Sequence, residues 1–529
     1  MDIFLTILLA SALAADDDER DEPAAAPAAS APRVMYDFGD LDVSGELVMP
    51  QGAYAATPGG AQDIAYFRDQ VSRGQVPLPE VFTPEGLLSE HDLPLAPSRP
   101  CERLLCTDAR AASASFAVQP DVDWLVQVGF GSGLTDETFH PAPLNLVAVV
   151  DKSCSMSDDP IETVRASLRE VAERMGPDDQ LSIVLYGADV ATHLPPTRGG
   201  DPAIRRAIDS IAIDGSTNLE AGLTRGFALA RESRRHFDGT TRVMLFTDER
   251  PNTGRTDAAS FMGLAEAASR DHIGMTTVGV GVQFGAELAQ QVSAVRGGNL
   301  VFFPDTGTMR QRFARDFDLW VTELAYDLDV EVHPAAGLRI AGVYGVPGDL
   351  VRWTDGGSIA LHVSTLFLSR DAGAIYVSLA REDGGPARPV RIGDNVASID
   401  LSYEPRDGSR SLSTSPVPLV VPGDGDAGLV RGALLVDEAT TLKQATALHH
   451  HDNDQDGAWR LVHALRQRLD AVPDPELRRV ELVAGLEDTL GKLAGRAGRC
   501  RWSATPSPAP AAVTAVGGGI HWRRHRGDP

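Results

Sequence analysis

Leu144-Asn145-Leu146-Val147-Ala148-Val149-Val150-Asp151-Lys152-Ser153-Cys154-Ser155-Met156-Ser157 is the stretch that decides how the rest of the chain is read. An apolar run from Leu144 to Val150 stops abruptly at Asp151, Ser153 and Ser155. A near-continuous Leu/Val run predicts a strand buried on both faces, as in a parallel sheet covered by helices. Oxygen-bearing residues at its carboxyl end then lie where open α/β sheets bind ligands. One carboxylate and two hydroxyls on a tight loop suit a hard cation that prefers oxygen. Taken alone, the same residues also describe a strand followed by a polar turn.

The surrounding sequence adds weight to the first reading. From Leu144 to about Ala325, strand-like and helix-like patterns alternate, which predicts a doubly wound α/β domain. Pro160 suits a first helical turn, with Asp159 as its expected cap. Ile161, Val164, Leu168, Val171 and Met175 then fall on one helical face. Two later places offer oxygen ligands. Thr217 sits in Gly215-Ser216-Thr217-Asn218 at a helix start, and Asp248 ends the apolar run Val243–Thr247. A parallel sheet brings such strand ends and helix starts together at its carboxyl edge.

The three separated elements, Asp151-Lys152-Ser153-Cys154-Ser155, Thr217 and Asp248, resemble the metal-ion-dependent adhesion site of von Willebrand factor A domains. Gly279-Val280-Gly281-Val282, followed by a helical pattern and Gly298-Asn299-Leu300, resembles the later strands of that family. The resemblance covers about 141–325. The flanking arrangement is similar to bacterial exported A-domain proteins and, distantly, to inter-alpha-trypsin-inhibitor heavy chains. The resemblance implies that Ser153 and Ser155 bind a divalent cation directly, with Thr217 in or near the coordination sphere. It implies that Asp151 and Asp248 act through water or hydrogen bonds. The expected ion is Mg²⁺, with Mn²⁺ or Ca²⁺ as substitutes. Two carboxylates among neutral hydroxyls leave such an ion electrophilic, so a protein ligand's Asp or Glu can complete its shell. The family has glycine where this chain has Cys154. A side chain there requires a negative φ, and a thiol is a poor Mg²⁺ ligand, so Cys154 is expected to pack inward as a free thiol.

The remaining segments divide by composition. Residues 1–14 have a short apolar core ending Ala12-Leu13-Ala14, the pattern of a signal peptide, although no Lys or Arg precedes it. That predicts an exported, periplasmic or extracellular protein. Residues 15–33, rich in Asp, Ala and Pro, read as a disordered linker. Residues 34–140 form an N-terminal flanking region, with a helical pattern at Ile64, Phe67 and Val71 and strand-like runs over 113–118 and 124–130. Residues 326–415 contain short strand candidates separated by Gly, Pro and Asp, and read as a β-sandwich-like module. Residues 416–500 return to helical periodicity, with three helices expected. Residues 501–529 read as a disordered tail.

Composition narrows the functional classes. The 529 residues carry 74 Asp and Glu against 48 Lys and Arg, a formal net charge of -26. That disfavours nucleic acid or an anionic membrane surface as a general partner. After the signal-like segment no apolar run is long enough for a convincing membrane span. Of the four cysteines, Cys101 and Cys106 are close enough to close a small disulfide loop. No His-Glu-x-x-His, Gly-x-Ser-x-Gly or phosphate-binding loop occurs, which argues against a common hydrolase though not against every enzyme; the expectation is a binding protein rather than an enzyme.

Three weaker motifs are read as structure. Asp452-Asn453-Asp454-Gln455-Asp456-Gly457 opens like a calcium loop, but its twelfth position is His463 rather than Glu, so a polar turn in a helical hairpin is preferred. His449-His450-His451 reads as a helix end. Arg526-Gly527-Asp528 is too short to carry weight. The sequence therefore predicts an exported protein that binds a protein partner through a divalent cation. The alternative is a scaffold or regulatory subunit of a larger enzyme or transport assembly, with a weak or inactive metal site.

Overall fold

The computed structural model describes residues 53–58, 64–95, 100–248, 258–280, 295–303, 306–346, 350–354, 356–370, 372–382, 390–472 and 481–495. All of them belong to one unit, Phe38–Pro529. The signal-like segment, the linker, residues 281–294 with most of the helical pattern expected before Gly298, Cys500 and Arg526-Gly527-Asp528 lie outside the described residues.

The chain runs Ala53–Pro58 (β1), Ala65–Ser72 (α1), Pro84–Ser89 (α2), Cys106–Ser113 (β2) and Val122–Thr135 (β3). It continues through Leu144–Asp151 (β4), Asp159–Arg174 (α3), Gln180–Tyr186 (β5), Val190–Arg198 (β6), Pro202–Asp209 (α4) and Leu219–Arg234 (α5). Next come Thr240–Thr247 (β7), Ala258–Arg270 (α6), Ile273–Val280 (β8), Gly298–Phe303 (β9) and Thr306–Val321 (α7). Strands Glu323–Pro334 (β10), Leu338–Tyr344 (β11), Val351–Trp353 (β12), Ile359–Ser369 (β13), Ala374–Arg381 (β14), Asn395–Pro405 (β15) and Ser411–Pro418 (β16) follow. Helices Ala427–His450 (α8), Gln455–Asp470 (α9) and Glu481–Leu493 (α10) close the described chain.

The α/β unit is a sheet in the order β6-β5-β4-β7-β8-β9. Its pairs are parallel except β5 with β6, which is antiparallel at the edge. β4 lies at the centre, and all its residues are buried. Its alternation feeds two cores. Leu146, Ala148 and Val150 pack with Val164, Leu168, Ile204, Phe313 and Phe317 of α3, α4 and α7. Val147 and Val149 pack on the other face with Leu223, Phe227, Phe261 and Ala265 of α5 and α6. A strand clad on both faces has no solvent side, which is why it reads as an unbroken apolar run.

The remaining strands form a single sheet in the order β11-β14-β3-β1-β13-β10-β15-β16, with β12 on β13 and β2 on β3. Sequence composition divides the flanking region 34–140 from the module 326–415, but the strands of both lie in this sheet. β3 pairs with β14 through Val126 with Val377 and Val128 with Ile375. β1 bridges β3 and β13. The apolar core joins Val126, Val128 and Phe130 to Val330, Ile340, Leu361, Val377 and Ile399. The α/β unit is thus an insertion between β3 and β10. The early strand expected over 113–118 is instead Cys106–Ser113, whose inward residues are small: Ala109 and Ala111.

The helices α8, α9 and α10 gather with α1 and α2 around Phe67, Phe82, Leu87, Leu435, Val462 and Leu486. The Asp452–Gly457 stretch is the turn between α8 and α9, where Asp454 accepts the Gly457 N–H at 2.8 Å and caps α9. His463 pairs with Glu487 at 2.6 Å. His449 contacts Gln455, and His450 contacts the Val76 carbonyl, so the histidine run ties a helix end to its surroundings. Cys101 and Cys106 form a disulfide. Among the described residues, no helix is long and apolar enough to cross a membrane.

Candidate metal centre

β4 and β7 are hydrogen-bonded neighbours, so their carboxyl ends emerge side by side. Asp151 closes β4 and is fully buried. Its Oδ1 accepts the Ser153 N–H at 2.8 Å, and its Oδ2 accepts the Thr247 hydroxyl at 3.3 Å. These bonds fold the chain back on itself, and residues 154–156 continue as a short 3-10 turn. The turn brings Ser153 Oγ and Ser155 Oγ to 3.0 Å from each other. The Ser155 hydroxyl donates to Asp248 Oδ1 at 3.2 Å, joining the ends of β4 and β7.

The third element arrives from the loop before α5. The Cys154 N–H donates to the Gly215 carbonyl at 3.1 Å, which holds residues 214–218 beside the serine turn. Thr217 is buried there, 1% exposed. Asn218 caps α5 by accepting the Ala221 N–H at 3.1 Å. α5 itself lies close on the sheet because Gly222 faces the Tyr186 ring. A Cβ at that position would come within 2.6 Å of Tyr186 Cγ, so only glycine permits the approach.

Burial dominates the electrostatics. It pushes the Asp151 carboxyl above its ordinary value, while hydrogen bonds from Ser153 and Thr247 pull it back. Burial also pushes the Tyr186 phenol far up, and the nearby Asp151 charge adds to that. Among the described residues, the groups that meet Asp151 are thus hydrogen-bond donors that carry no full positive charge, a setting in which a carboxylate gains from a cation close by.

Cys154 departs from expectation. It is exposed rather than packed inward. It is not among the residues with positive φ, so its backbone needs no glycine. Its N–H is turned inward to Gly215, which leaves the side chain facing out. The cap of α3 also differs: Asp159 is the first helical residue and the capping position is Asp158, which has φ +66°. Two supporting residues escaped the sequence reading, Thr247 and Tyr186. The first directly precedes Asp248 and the second ends β5 beside Asp151, but each reads as strand until the sheet is assembled.

The donor set is all oxygen: three hydroxyls and two carboxylates. That fits a hard divalent cation, which Ser153, Ser155 and Thr217 would hold, with Asp151 and Asp248 behind them. Among the described residues there is no metal-holding group of three or more His, Cys, Asp or Glu side chains. A hydroxyl-rich turn is a different kind of donor set from such a cluster.

Comparison with known proteins agrees with this architecture. Residues 145–314 match the family model of the von Willebrand factor type A domain. An uncharacterized protein of Synechocystis sp. is 25% identical over 295 residues, 54% of this chain and 68% of that one. The uncharacterized protein YfbK of Escherichia coli is 28% identical over 196 residues, 36% of this chain and 34% of that one. Inter-alpha-trypsin inhibitor heavy chain H3 of Mesocricetus auratus is 30% identical over 122 residues, 22% of this chain and 14% of that one. The match therefore spans only about a third or less of the last two proteins. Among solved structures, a von Willebrand factor type A protein from Catenulispora acidiphila aligns with 76% of this chain and 97% of its own, at 12% identity and a TM-score of 0.43. With its central parallel sheet, the order of its motif elements and the family match, the chain carries a von Willebrand factor type A domain at residues 145–314.

Proposed function

We propose that this chain is an exported, non-catalytic protein that binds a partner protein through a divalent cation held by Asp151, Ser153, Ser155, Thr217 and Asp248. Domains of this class commonly mediate protein–protein interaction and adhesion. The observation that carries the reading is the 3.0 Å separation of Ser153 Oγ and Ser155 Oγ beside Asp248. Adjacent oxygens on an octahedral Mg²⁺ with bonds of about 2.0–2.1 Å lie about 2.8–3.0 Å apart, so the two hydroxyls are spaced as neighbouring ligands of such an ion. A donor set of three hydroxyls and only two carboxylates suits Mg²⁺, with Mn²⁺ as a substitute. When bound, the cation supplies a Lewis-acid point to which a partner's Asp or Glu carboxylate adds. Asp151 fixes the turn through the Ser153 N–H, and Asp248 orients Ser155. The exposed Cys154 side chain does not fill the space beneath the loop, which supports a working site over the inactive alternative. Export is supported by the signal-like start of the sequence and by the Cys101–Cys106 disulfide, which suits an oxidising compartment.

Calorimetric titration of Mg²⁺ and Mn²⁺ into the full chain, wild type against Asp151→Ala, tests the site. Saturable binding in the wild type and none in the variant is expected. Partner capture should disappear with the variant and with chelator, and return on adding Mg²⁺ or Mn²⁺. Equal partner capture by Asp151→Ala would remove the mechanism.

A further inference from the structure

Lys152 stands between Asp151 and Ser153, and its place in the sequence gives it no role. Its N–H donates to the Tyr186 carbonyl at 2.9 Å, and its own carbonyl accepts the Asp214 N–H at 2.6 Å. Its ammonium reaches Asp189 Oδ1 at 2.5 Å and Asp214 Oδ2 at 3.5 Å. One residue thereby touches the loop after β5 and the loop that leads to Thr217. The Lys152 side chain is only 12% exposed, although the two carboxylates are 70% and 69% exposed. Its stem lies over Gly187. A Cβ on Gly187 would fall 3.0 Å from Lys152 Cγ and 2.5 Å from the Asp214 carbonyl oxygen, so the three loops meet this closely only over glycine. The Cys154 N–H to Gly215 bond closes the same seam.

We propose that Lys152 is a positioning residue that clamps the Asp151–Ser155 loop to residues 187–189 and 214–217, setting Thr217 against the two serines. The inference rests on reading this loop as a cation site. A surface ion pair between mobile side chains contributes little. Here the stem is sheltered, the backbone of the same residue bonds both neighbouring loops, and the ammonium adds a second link to each. The two carboxylates also offset a positive charge that would otherwise repel a divalent ion beside Ser153. Residues that orient metal ligands without touching the metal commonly matter as much as this arrangement suggests.

The test uses the full chain as wild type, Lys152→Met and Lys152→Arg, with Mg²⁺ alone as the probe. Lys152→Met should weaken Mg²⁺ binding about tenfold with the thermal midpoint unchanged, and Lys152→Arg should restore it. Amide hydrogen exchange in chelator supplies a readout that needs no metal. Lys152→Met should lose protection at the Asp214 and Cys154 amides, while strands β4 and β5 keep theirs. Unchanged protection at those two amides overturns the clamp whatever the affinity does. So does Mg²⁺ binding by Lys152→Met as tight as wild type or tighter, which would make Lys152 a repelling charge and nothing more. Absence of Mg²⁺ binding in the wild type would instead count against the cation reading, and the exchange data would still decide the clamp.

Discussion

The two ends of the α/β sheet bury charge in opposite ways. At the start of β7, Arg242 is completely buried and paired with Glu323 at the start of β10. Its guanidinium also donates to Thr276 Oγ1 at 2.8 Å and to the Val321 carbonyl at 3.2 Å, and lies 5.3 Å from the Phe367 ring centroid. Nearby, Arg296 joins Asp327 and Glu404 and stacks over Tyr326. At the other end Asp151 is just as buried, but the Ser153 N–H and the Thr247 hydroxyl that meet it are neutral. Charge at the first end is matched from within the chain, which welds the α/β unit to the large sheet. Among the described residues, charge at the second end is matched by dipoles, as suits the proposed role of Asp151 beside a cation. A buried ionic group is therefore a poor guide to function by type alone; the nature of its partners is what separates a joint from a site.

The comparison can be broken first at the joint. Arg242→Met leaves Glu323 buried without its cation and should cost about 3–5 kcal/mol in urea unfolding. A cost below about 1 kcal/mol would show that the junction does not depend on charge. A second buried carboxyl sharpens the point. Burial pushes Glu438 on α8 up to about 7; Arg68 pulls it down, while Glu90 and Asp437 push it further up. The folded chain therefore holds this proton more tightly than the unfolded chain. Stability falls as pH rises from the ordinary value of 4.5 to about 7 and stays lower above it. Glu438→Gln should accordingly gain about 1–3 kcal/mol at pH 8 and little at pH 4, measured as unfolding free energy against pH. A variant whose pH profile runs parallel to wild type would refute the assignment.

Smaller effects are expected at the site itself. Asp151→Asn should change the stability of the metal-free chain by no more than about 1 kcal/mol, because it removes a desolvated charge while its amide oxygen can still accept the Ser153 N–H. It should nevertheless abolish Mg²⁺ binding. A loss comparable to that of Arg242→Met would make Asp151 a structural residue like its counterpart. The smallest effect is at Cys154. Since its side chain faces solvent, Cys154→Ser should alter stability by less than about 0.5 kcal/mol and leave Mg²⁺ binding unchanged. A marked fall in affinity would mean that the thiol shapes the turn after all.

What the sequence discloses follows from which interactions are local. β4 and β7 are legible because a central parallel strand must be apolar on both faces, and α5 begins at Leu219, directly after the Gly215-Ser216-Thr217-Asn218 stretch read as a helix start. β6 has no such signature: it is an antiparallel edge strand with Pro195 and Pro196 and mostly unburied side chains. The pairing of β3 with β14 is invisible for another reason, since nothing near Val126 indicates that Val377 is its neighbour. At the candidate site the ligand-type residues are readable because Asp, Ser and Thr interrupt apolar runs. Tyr186, Thr247 and Lys152 are not, because their contribution is contact across the sheet edge rather than chemistry displayed in a motif. Cys154 was misplaced because a glycine rule for the loop fixes φ but not the direction of the side chain, which the Gly215 carbonyl sets.

The insertion of the α/β unit between β3 and β10 has a consequence for the order of assembly. Trp124 pairs with Leu379, and Ala55 pairs with Ser369, so the early strands wait for partners made much later. Each pair of neighbouring strands in the parallel sheet, by contrast, is completed within the inserted segment. Closing a long loop is entropically costly until the segment within it has condensed. A nascent chain would thus complete its α/β unit while β1, β2 and β3 still present unpaired edges, and those edges are where a chaperone or a second nascent copy would first take hold.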